Sequence, residues 1–166
     1  MNRDAHLVDV MRHGGIVYPK TTLRIARKVN ARHGHMPLSL ACAILEQETG
    51  GGANVFGHDP VQSIQGGNVT RARYAYYKAR RKRGLGMQGV SSVQLTWFAF
   101  QDEADRLGGC WRPNINMYVG LCHLAMQIAA HGVHDGVKAY NGAGAAAENY
   151  ARTVGDRERK WHHSFS

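Results

Sequence analysis

Apolar residues recur along much of the chain at the three- and four-residue spacing of amphipathic helices, and Gly or Pro interrupts the pattern between them. The segment TTLRIARKVNARHG (21–34) has an apolar stripe and closes at Gly34. The next segment, MPLSLACAILEQET (36–49), has Pro37 in its first turn and Gly50 just beyond its end. The pattern predicts one helix over each segment.

The rest of the chain continues in the same way. Further helices are predicted over 69–84, 96–109, 114–132, 134–140 and 145–161. Residues 50–69 are rich in Gly, Asn, Asp and Pro and predict a loop, and residues 85–96 predict a second loop with room for short strands. We therefore expect a single, mainly α-helical domain over residues 1–166, with a small irregular or β segment in its middle.

Composition narrows the possible partners without selecting one. The formal net charge of +9 favours polyanions such as nucleic acid, anionic lipid or an acidic cell wall. The first fifteen residues contain no uninterrupted apolar segment typical of a secretory signal, and no apolar stretch reaches transmembrane length. We expect a protein that is made in a cytoplasm without a signal peptide and does not insert into a membrane.

The cysteines and histidines give no sign of a metal or cofactor. Cys42 lies in an apolar helix and is expected in the core, whereas a bridge between Cys110 and Cys122 stays open. The ten His residues are scattered and show no metal-binding spacing, and no CxxC pair is present. We expect no metal and no cofactor.

Two carboxylates stand near the end of the second predicted helix. With about 100° per residue on a helical wheel, Ala41, Ile44 and Leu45 fall within about 60° of Glu48. Glu46 falls about 160° away from Glu48 on the same wheel. The spacing therefore predicts that Glu48 points along the apolar stripe and that Glu46 points to water.

An inward Glu48 is a candidate general acid. Burial and the negative end of the helix dipole both raise the pKa of a carboxyl group, so Glu48 would hold its proton near neutral pH. Gly50, Gly51 and Gly52 leave the backbone bare, so that a bulky ligand can approach. The alternative is structural, because a Glu at a helix end often forms an ion pair with an Arg.

Three segments carry a resemblance to a known superfamily. AILEQETGGG resembles the sequence around the catalytic Glu of goose-type lysozymes and lytic transglycosylases, and it matches at Glu48, Thr49 and Gly50. GVSSVQLT resembles the segment whose core is Gly-Leu-Met-Gln, although only Gln94 and Leu95 match and residues 91–93 depart from it. KAYNGAG matches the Ala-Tyr-Asn-Gly segment, which gives Tyr140 and Asn141.

Three segments taken together resemble the lysozyme-like catalytic domain of endolysins from phages of actinobacteria: VFGHDP, LGGCWRPNINMYVG and AYNGAG. The resemblance implies a two-lobed helical fold with a cleft for peptidoglycan glycan strands. It also implies cleavage of the β-1,4 bond between N-acetylmuramic acid and N-acetylglucosamine, with Glu48 as the acid. Such a protein is made in the host cytoplasm and acts on the wall after release.

The reaction depends on whether a second carboxylate is present. Hydrolysis needs an activated water, and Asp59 is the natural partner, although an Asp before Pro60 is also a common turn residue. A transglycosylase needs no such group, because the muramyl 6-hydroxyl attacks the anomeric carbon. We favour hydrolysis, with Glu48 and Asp59 as the catalytic pair.

Substrate contacts are expected from Thr49, Gln94, Tyr140 and Asn141. Each has a structural alternative: Gln94 could brace its loop, Tyr140 could be a core residue, and Asn141 could belong to the turn after a helix. Trp97 and Trp111 could stack on sugar rings, but a core position is expected for both. Asp102, Glu103 and Asp105 are expected to be solvated.

The predicted helix over 69–84 interleaves arginines with tyrosines. This pattern suits acidic cell-wall polymers, and it also suits phosphate contacts with base stacking in a DNA-binding phage protein. A third interpretation is a solvated basic face above buried Tyr74 and Tyr77. An inward Glu48 has no use in a DNA-binding protein, so we expect wall polymers and no specific nucleic acid.

Overall fold

The computed structural model of the chain describes residues 2–58, 64, 66–81, 83 and 86–166. The described residues are mainly α-helical, as predicted. The helices within them are α1 (Arg3–His13), α2 (Pro19–His33), α3 (Leu38–Thr49), α4 (Arg71–Arg81), α5 (Phe98–Arg106), α6 (Pro113–His131), α7 (Val133–Asn141) and α8 (Gly144–Phe165).

Helix α1 was not among the predicted elements. Its amino terminus is capped by the side chain of Asn2, which accepts a hydrogen bond from the backbone N–H of Asp4 at 3.1 Å. Only Val8 and Met11 are buried, so the apolar stripe is too narrow to stand out among charged neighbours. Packing against α2 and α8 stabilises this short helix.

Helix α3 lies at the centre of the molecule. Seven consecutive residues, from Ser39 to Leu45, are buried, so this part of the helix has no face toward water. It packs against α2 and α8, and α6 packs against α2, α5 and α7. A helix that is covered on all sides cannot be oriented from a single apolar stripe.

The segments around α4 contain little regular strand structure. Isolated antiparallel bridges join Phe56 to Val90 and Val90 to Leu95, and a third joins Val55 to Asn68. Asn116 of α6 attaches the segment that contains Val90 and Val93 to the core. Its amide donates to the backbone oxygen of Val90 at 2.9 Å and accepts from the N–H of Val93 at 3.0 Å. The prediction of a small irregular or β segment is thus confirmed for the described residues.

Helix α4 turns two of its three tyrosines inward, and contacts with α5 neutralise part of its charge. Tyr74 and Tyr77 are buried, which confirms the interpretation of a basic face above a tyrosine core. Arg81 is also buried and donates to Asp102 at 2.5 Å. Asp105 was expected to be solvated, but it accepts from Lys78 and Tyr74 and its side chain is only 18% exposed. It therefore anchors α4 to α5.

The cysteines do not form a bridge. Cys42, Cys110 and Cys122 are all free thiols and all buried, so the pairing of Cys110 with Cys122 does not occur and Cys42 is a core residue as expected. None of the helices within the described residues has the length and apolarity that crossing a bilayer requires.

Candidate functional site

A cleft of about 830 Å³ lies where the three segments that matched in sequence come together. The end of α3 forms one side with Glu48 and Thr49, and the end of α7 contributes Tyr140 and Asn141. Residues 55–58 and several residues between 87 and 97, including Gln94, complete the walls. All predicted site residues that the structure describes therefore line one cavity.

Glu48 occupies the last turn of α3, and its half-buried side chain faces the cleft. Burial raises the pKa of its carboxyl group to about 7, because the charged form loses hydration. The hydroxyl of Tyr150 on α8 donates a hydrogen bond to Oε1, which acts in the opposite direction by favouring the carboxylate. Glu48 therefore holds and releases a proton near neutral pH, as a general acid must.

The prediction that Glu46 points to water was wrong. Its carboxylate forms an ion pair with Arg157 and accepts the indole N–H of Trp161 at 2.8 Å, both from α8. Its side chain is only 22% exposed. The wheel placed Glu46 correctly opposite Glu48, but α8 covers that side of α3. The structural alternative, an ion pair between a Glu at the helix end and an arginine, is thus realised by Glu46 with Arg157 and not by Glu48.

The glycines after Glu48 serve packing. Gly50 ends α3 in the left-handed conformation, with φ +68°. A Cβ at Gly51 would lie 2.1 Å from the carbonyl oxygen of Gly15, and the N–H of Val17 donates to the Gly51 carbonyl at 2.9 Å. Gly51 and Gly52 are buried, and neither lines the cleft. The expectation that these glycines admit a ligand is therefore wrong for this pair.

Thr49 and Gln94 join the walls of the cleft to each other. The Thr49 hydroxyl donates to the carbonyl of Ser92 at 2.8 Å. The Gln94 amide nitrogen donates to the carbonyls of Val55 and Ser91, each at 2.9 Å, from a backbone with φ +51°. Gln94 thus braces its loop, while its Oε1 meets no donor among the described residues and remains able to accept from a ligand.

Two tyrosines lie near the Glu48 carboxylate. Tyr140 lines the cleft, and its pKa is raised by burial and then by the negative charge of Glu48. The direct hydrogen bond to Glu48, however, comes from Tyr150, which sequence reasoning did not select. Tyr150 belongs to the buried stripe of α8 with Ala147 and Val154, so spacing alone marks it as a core residue.

The two tryptophans considered for sugar stacking have different environments. Trp97 precedes α5, lines the cleft and is 62% exposed, so the expectation of a core position was wrong for it. Trp111 is half-buried and packs against Tyr74 at 5.8 Å between ring centroids, outside the cleft lining. Of these two tryptophans, Trp97 is the one whose exposed ring lines the same cleft as Glu48.

Asp59 lies outside the described residues. Among the described residues that line the cleft, Glu48 is the only carboxylic acid. No group of three or more His, Cys, Asp or Glu side chains in the described part of the chain is placed to hold a metal ion. Comparison with known proteins gives no match to a protein-family model, a curated protein or a solved structure.

Proposed function

We propose that this protein is a glycosidase that cleaves peptidoglycan at the β-1,4 bond between N-acetylmuramic acid and N-acetylglucosamine, as the catalytic domain of a phage endolysin. The observation that carries the proposal is Glu48: a half-buried carboxyl group with a pKa near 7 that opens onto a cleft. In this role the protein is made in the host cytoplasm and acts on the wall after release.

Glu48 supplies the proton that glycosidic cleavage needs. Departure of the leaving sugar requires protonation of the bridging oxygen while the other sugar becomes oxocarbenium-like. A carboxyl group with a pKa near 7 is largely protonated in mildly acidic solution and about half protonated at neutral pH. Once Glu48 has given up its proton, the Tyr150 hydroxyl stabilises the carboxylate and holds it toward the cleft.

The walls of the cleft suit an amino-sugar chain. The volume of about 830 Å³ falls within the range of ligand clefts. Trp97 offers a flat apolar face of the kind on which the C–H face of a pyranose packs. Oε1 of Gln94, which meets no donor among the described residues, and the exposed amide of Asn141 provide polar groups for hydroxyl and N-acetyl substituents.

For the second half of the reaction we propose hydrolysis, with Asp59 activating the water opposite the leaving group. The alternative is transglycosylation, in which Glu48 removes the proton from the muramyl 6-hydroxyl as that oxygen attacks the anomeric carbon. The two reactions differ in product: hydrolysis leaves an ordinary reducing end, and transglycosylation leaves a 1,6-anhydro sugar.

The rival function, binding of nucleic acid through α4, has less support. Stacking on bases needs exposed aromatic rings. Tyr74 and Tyr77 of α4 are buried, and the exposed Tyr76 accepts a hydrogen bond from Arg80 of the same helix at 3.2 Å. The buried Arg81 is held by Asp102 and is not available to a phosphate.

Mass spectrometry of muropeptides released from purified peptidoglycan tests the proposal. The wild-type protein should cut the glycan strand, and Glu48→Gln should release nothing above background. Reducing ends that disappear with Asp59→Asn support hydrolysis. A transglycosylase would instead give anhydro ends, which are lighter by one water, and its Asp59→Asn variant would be fully active. That result would leave Glu48 as the sole catalytic carboxylate. A folded wild-type protein that leaves every glycosidic bond intact would refute the function.

A further inference from the structure

The outer face of α2 carries an unbalanced positive charge. The helix contains no acidic residue, and its positions at about 100° per residue place all its Lys and Arg side chains within an arc of about 140°. Leu23, Ile25, Ala26 and Val29 occupy the opposite, buried side. The exposed cations define the α2 cationic face: Lys20, Arg24, Arg27, Lys28 and Arg32.

Most of these cations lack an acidic partner. Within the described residues, only Arg27 is ion-paired, through two hydrogen bonds to Asp4 at 2.6 and 2.7 Å. Lys28 and Arg32 are held by a neutral group, the side chain of Tyr118. The Lys28 amine sits 4.5 Å from the ring centroid, and Arg32 donates to the hydroxyl at 2.7 Å. Tyr118 orders these two cations without cancelling their charge.

Helix α4 was the expected attachment site, but its charges are partly satisfied within the protein. Arg81 is paired with Asp102, and Lys78 is paired with Asp105. On α2, the cations from Lys20 to Arg32 instead extend over about 18 Å along one side of the helix, and Lys20, Arg24 and Arg27 border a groove against α1. That length exceeds a single small anion and suits a chain with a repeating negative charge.

We infer that the α2 cationic face is a docking surface for an anionic glycopolymer covalently attached to peptidoglycan. The inference rests on the proposed function and adds a partner and a surface to it. No α2 residue lines the cleft, so a polymer bound there leaves Glu48 free to engage the glycan strand. Several weak ion pairs, screened by salt, would concentrate the enzyme on the wall and still allow it to dissociate.

Co-sedimentation with isolated walls tests the inference. All proteins carry Glu48→Gln, which separates binding from cleavage. The test variant adds Lys20→Glu, Arg24→Glu and Lys28→Glu. The matched control adds Arg106→Glu, Arg152→Glu and Lys160→Glu, which are exposed residues elsewhere with the same change in net charge. Thermal unfolding followed by circular dichroism establishes that each variant is folded.

The test variant should bind walls about 10-fold or more weakly at low salt, the control should lose much less, and the difference should vanish at high salt. Acid extraction removes the anionic polymers from the walls. The protein with Glu48→Gln alone should bind these stripped walls weakly, with the affinity that the test variant shows for intact walls. Equal losses in both triple variants, or full binding to stripped walls, would overturn the inference. So would preferential binding of the α2 face to DNA or to anionic phospholipid vesicles.

A parallel set with Glu48 restored separates the two proposals. On a short soluble glycan fragment, the α2 triple variant should keep wild-type turnover, because the fragment lacks the anionic polymer. If no variant cleaves glycan but wall binding still depends on α2, the proposed reaction fails and the docking surface stands. If cleavage is normal and the α2 triple variant binds walls as well as the control does, only the inference of a docking surface is refuted.

Discussion

Glu46 and Glu48 leave the same helical turn two residues apart and meet opposite surroundings. Glu46 lies between α3 and α8, where Arg157 and the Trp161 indole take up both carboxylate oxygens. Glu48 faces a cleft, receives one hydroxyl from Tyr150 and touches no cation among the described residues. Glu46 therefore joins α3 to α8, whereas the carboxyl group of Glu48 stays able to take up and release a proton.

The difference shows what makes a carboxyl group useful as an acid. The neutral, proton-carrying form of a carboxyl group is favoured where the group is buried without a neighbouring cation. The Tyr150 hydroxyl keeps the shift in the pKa of Glu48 moderate, because it favours the carboxylate. The same helix end thus supplies a contact between two helices on one side and the proposed proton donor on the other.

The largest expected effect comes from Glu48→Gln. The amide fits the same space but holds no transferable proton, so the rate of wall cleavage should fall by about 10² or more. The melting temperature should not fall, because the change removes a carboxyl group that is costly to ionise in this position. Turbidity clearance of purified peptidoglycan measures the rate. Wild-type clearance by a folded Glu48→Gln variant would contradict the role of Glu48.

The pH dependence should report the same group. The proposed reaction needs protonated Glu48, so the activity should decline as the pH rises through about 7. The folded-state pKa lies above the unfolded value, so the folded state binds the proton more tightly. The contribution of Glu48 to stability should therefore weaken between about pH 4.5 and 7, by no more than about 3 kcal/mol.

Denaturant titrations of the wild type and Glu48→Gln across that pH range isolate the contribution, because every other titrating group is shared. The stability of the wild type should fall relative to Glu48→Gln as the pH rises. A constant difference between the two proteins would show that the pKa of Glu48 is not raised by folding.

Glu46→Ala should show the opposite profile from Glu48→Gln. Removing the carboxylate leaves the Trp161 indole N–H and Nη1 of Arg157 without their acceptor, at a cost of about 1–3 kcal/mol in the free energy of unfolding. Glu46→Gln retains one acceptor oxygen and should cost less. Activity per folded molecule should stay near wild type for both. A large loss of turnover at full stability would place Glu46 in the catalytic machinery instead.

The smallest effect is expected at the open side of the cleft. Trp97→Ala should raise KM for a glycan fragment about 10-fold, the loss of about 1.4 kcal/mol of binding, with kcat little changed. Stability should stay within about 0.5 kcal/mol, since the ring is mostly exposed. Trp97→Phe keeps an aromatic face and serves as the control. Equal KM values for all three proteins would remove Trp97 from the substrate site.

Local patterns in the sequence predicted much of the fold. The three- and four-residue spacing of apolar positions located seven helices, and α1 escaped because only two of its residues are buried. The wheel also placed Glu48 and Glu46 on opposite sides of α3. These features depend on residues within a few turns of one another, which is the range over which helix periodicity acts.

Only the tertiary structure decided what each side of α3 faces. Tyr150 lies 102 residues from Glu48 along the chain, and Trp161 lies 115 residues from Glu46. Both contacts depend on how α8 packs across α3, and no local spacing encodes that crossing. A separate contact buries Gly51 against Gly15, which lies in the connection between α1 and α2. The sequence determined that a carboxyl group would point inward, and the packing of distant helices determined which carboxylate stays free to act as an acid.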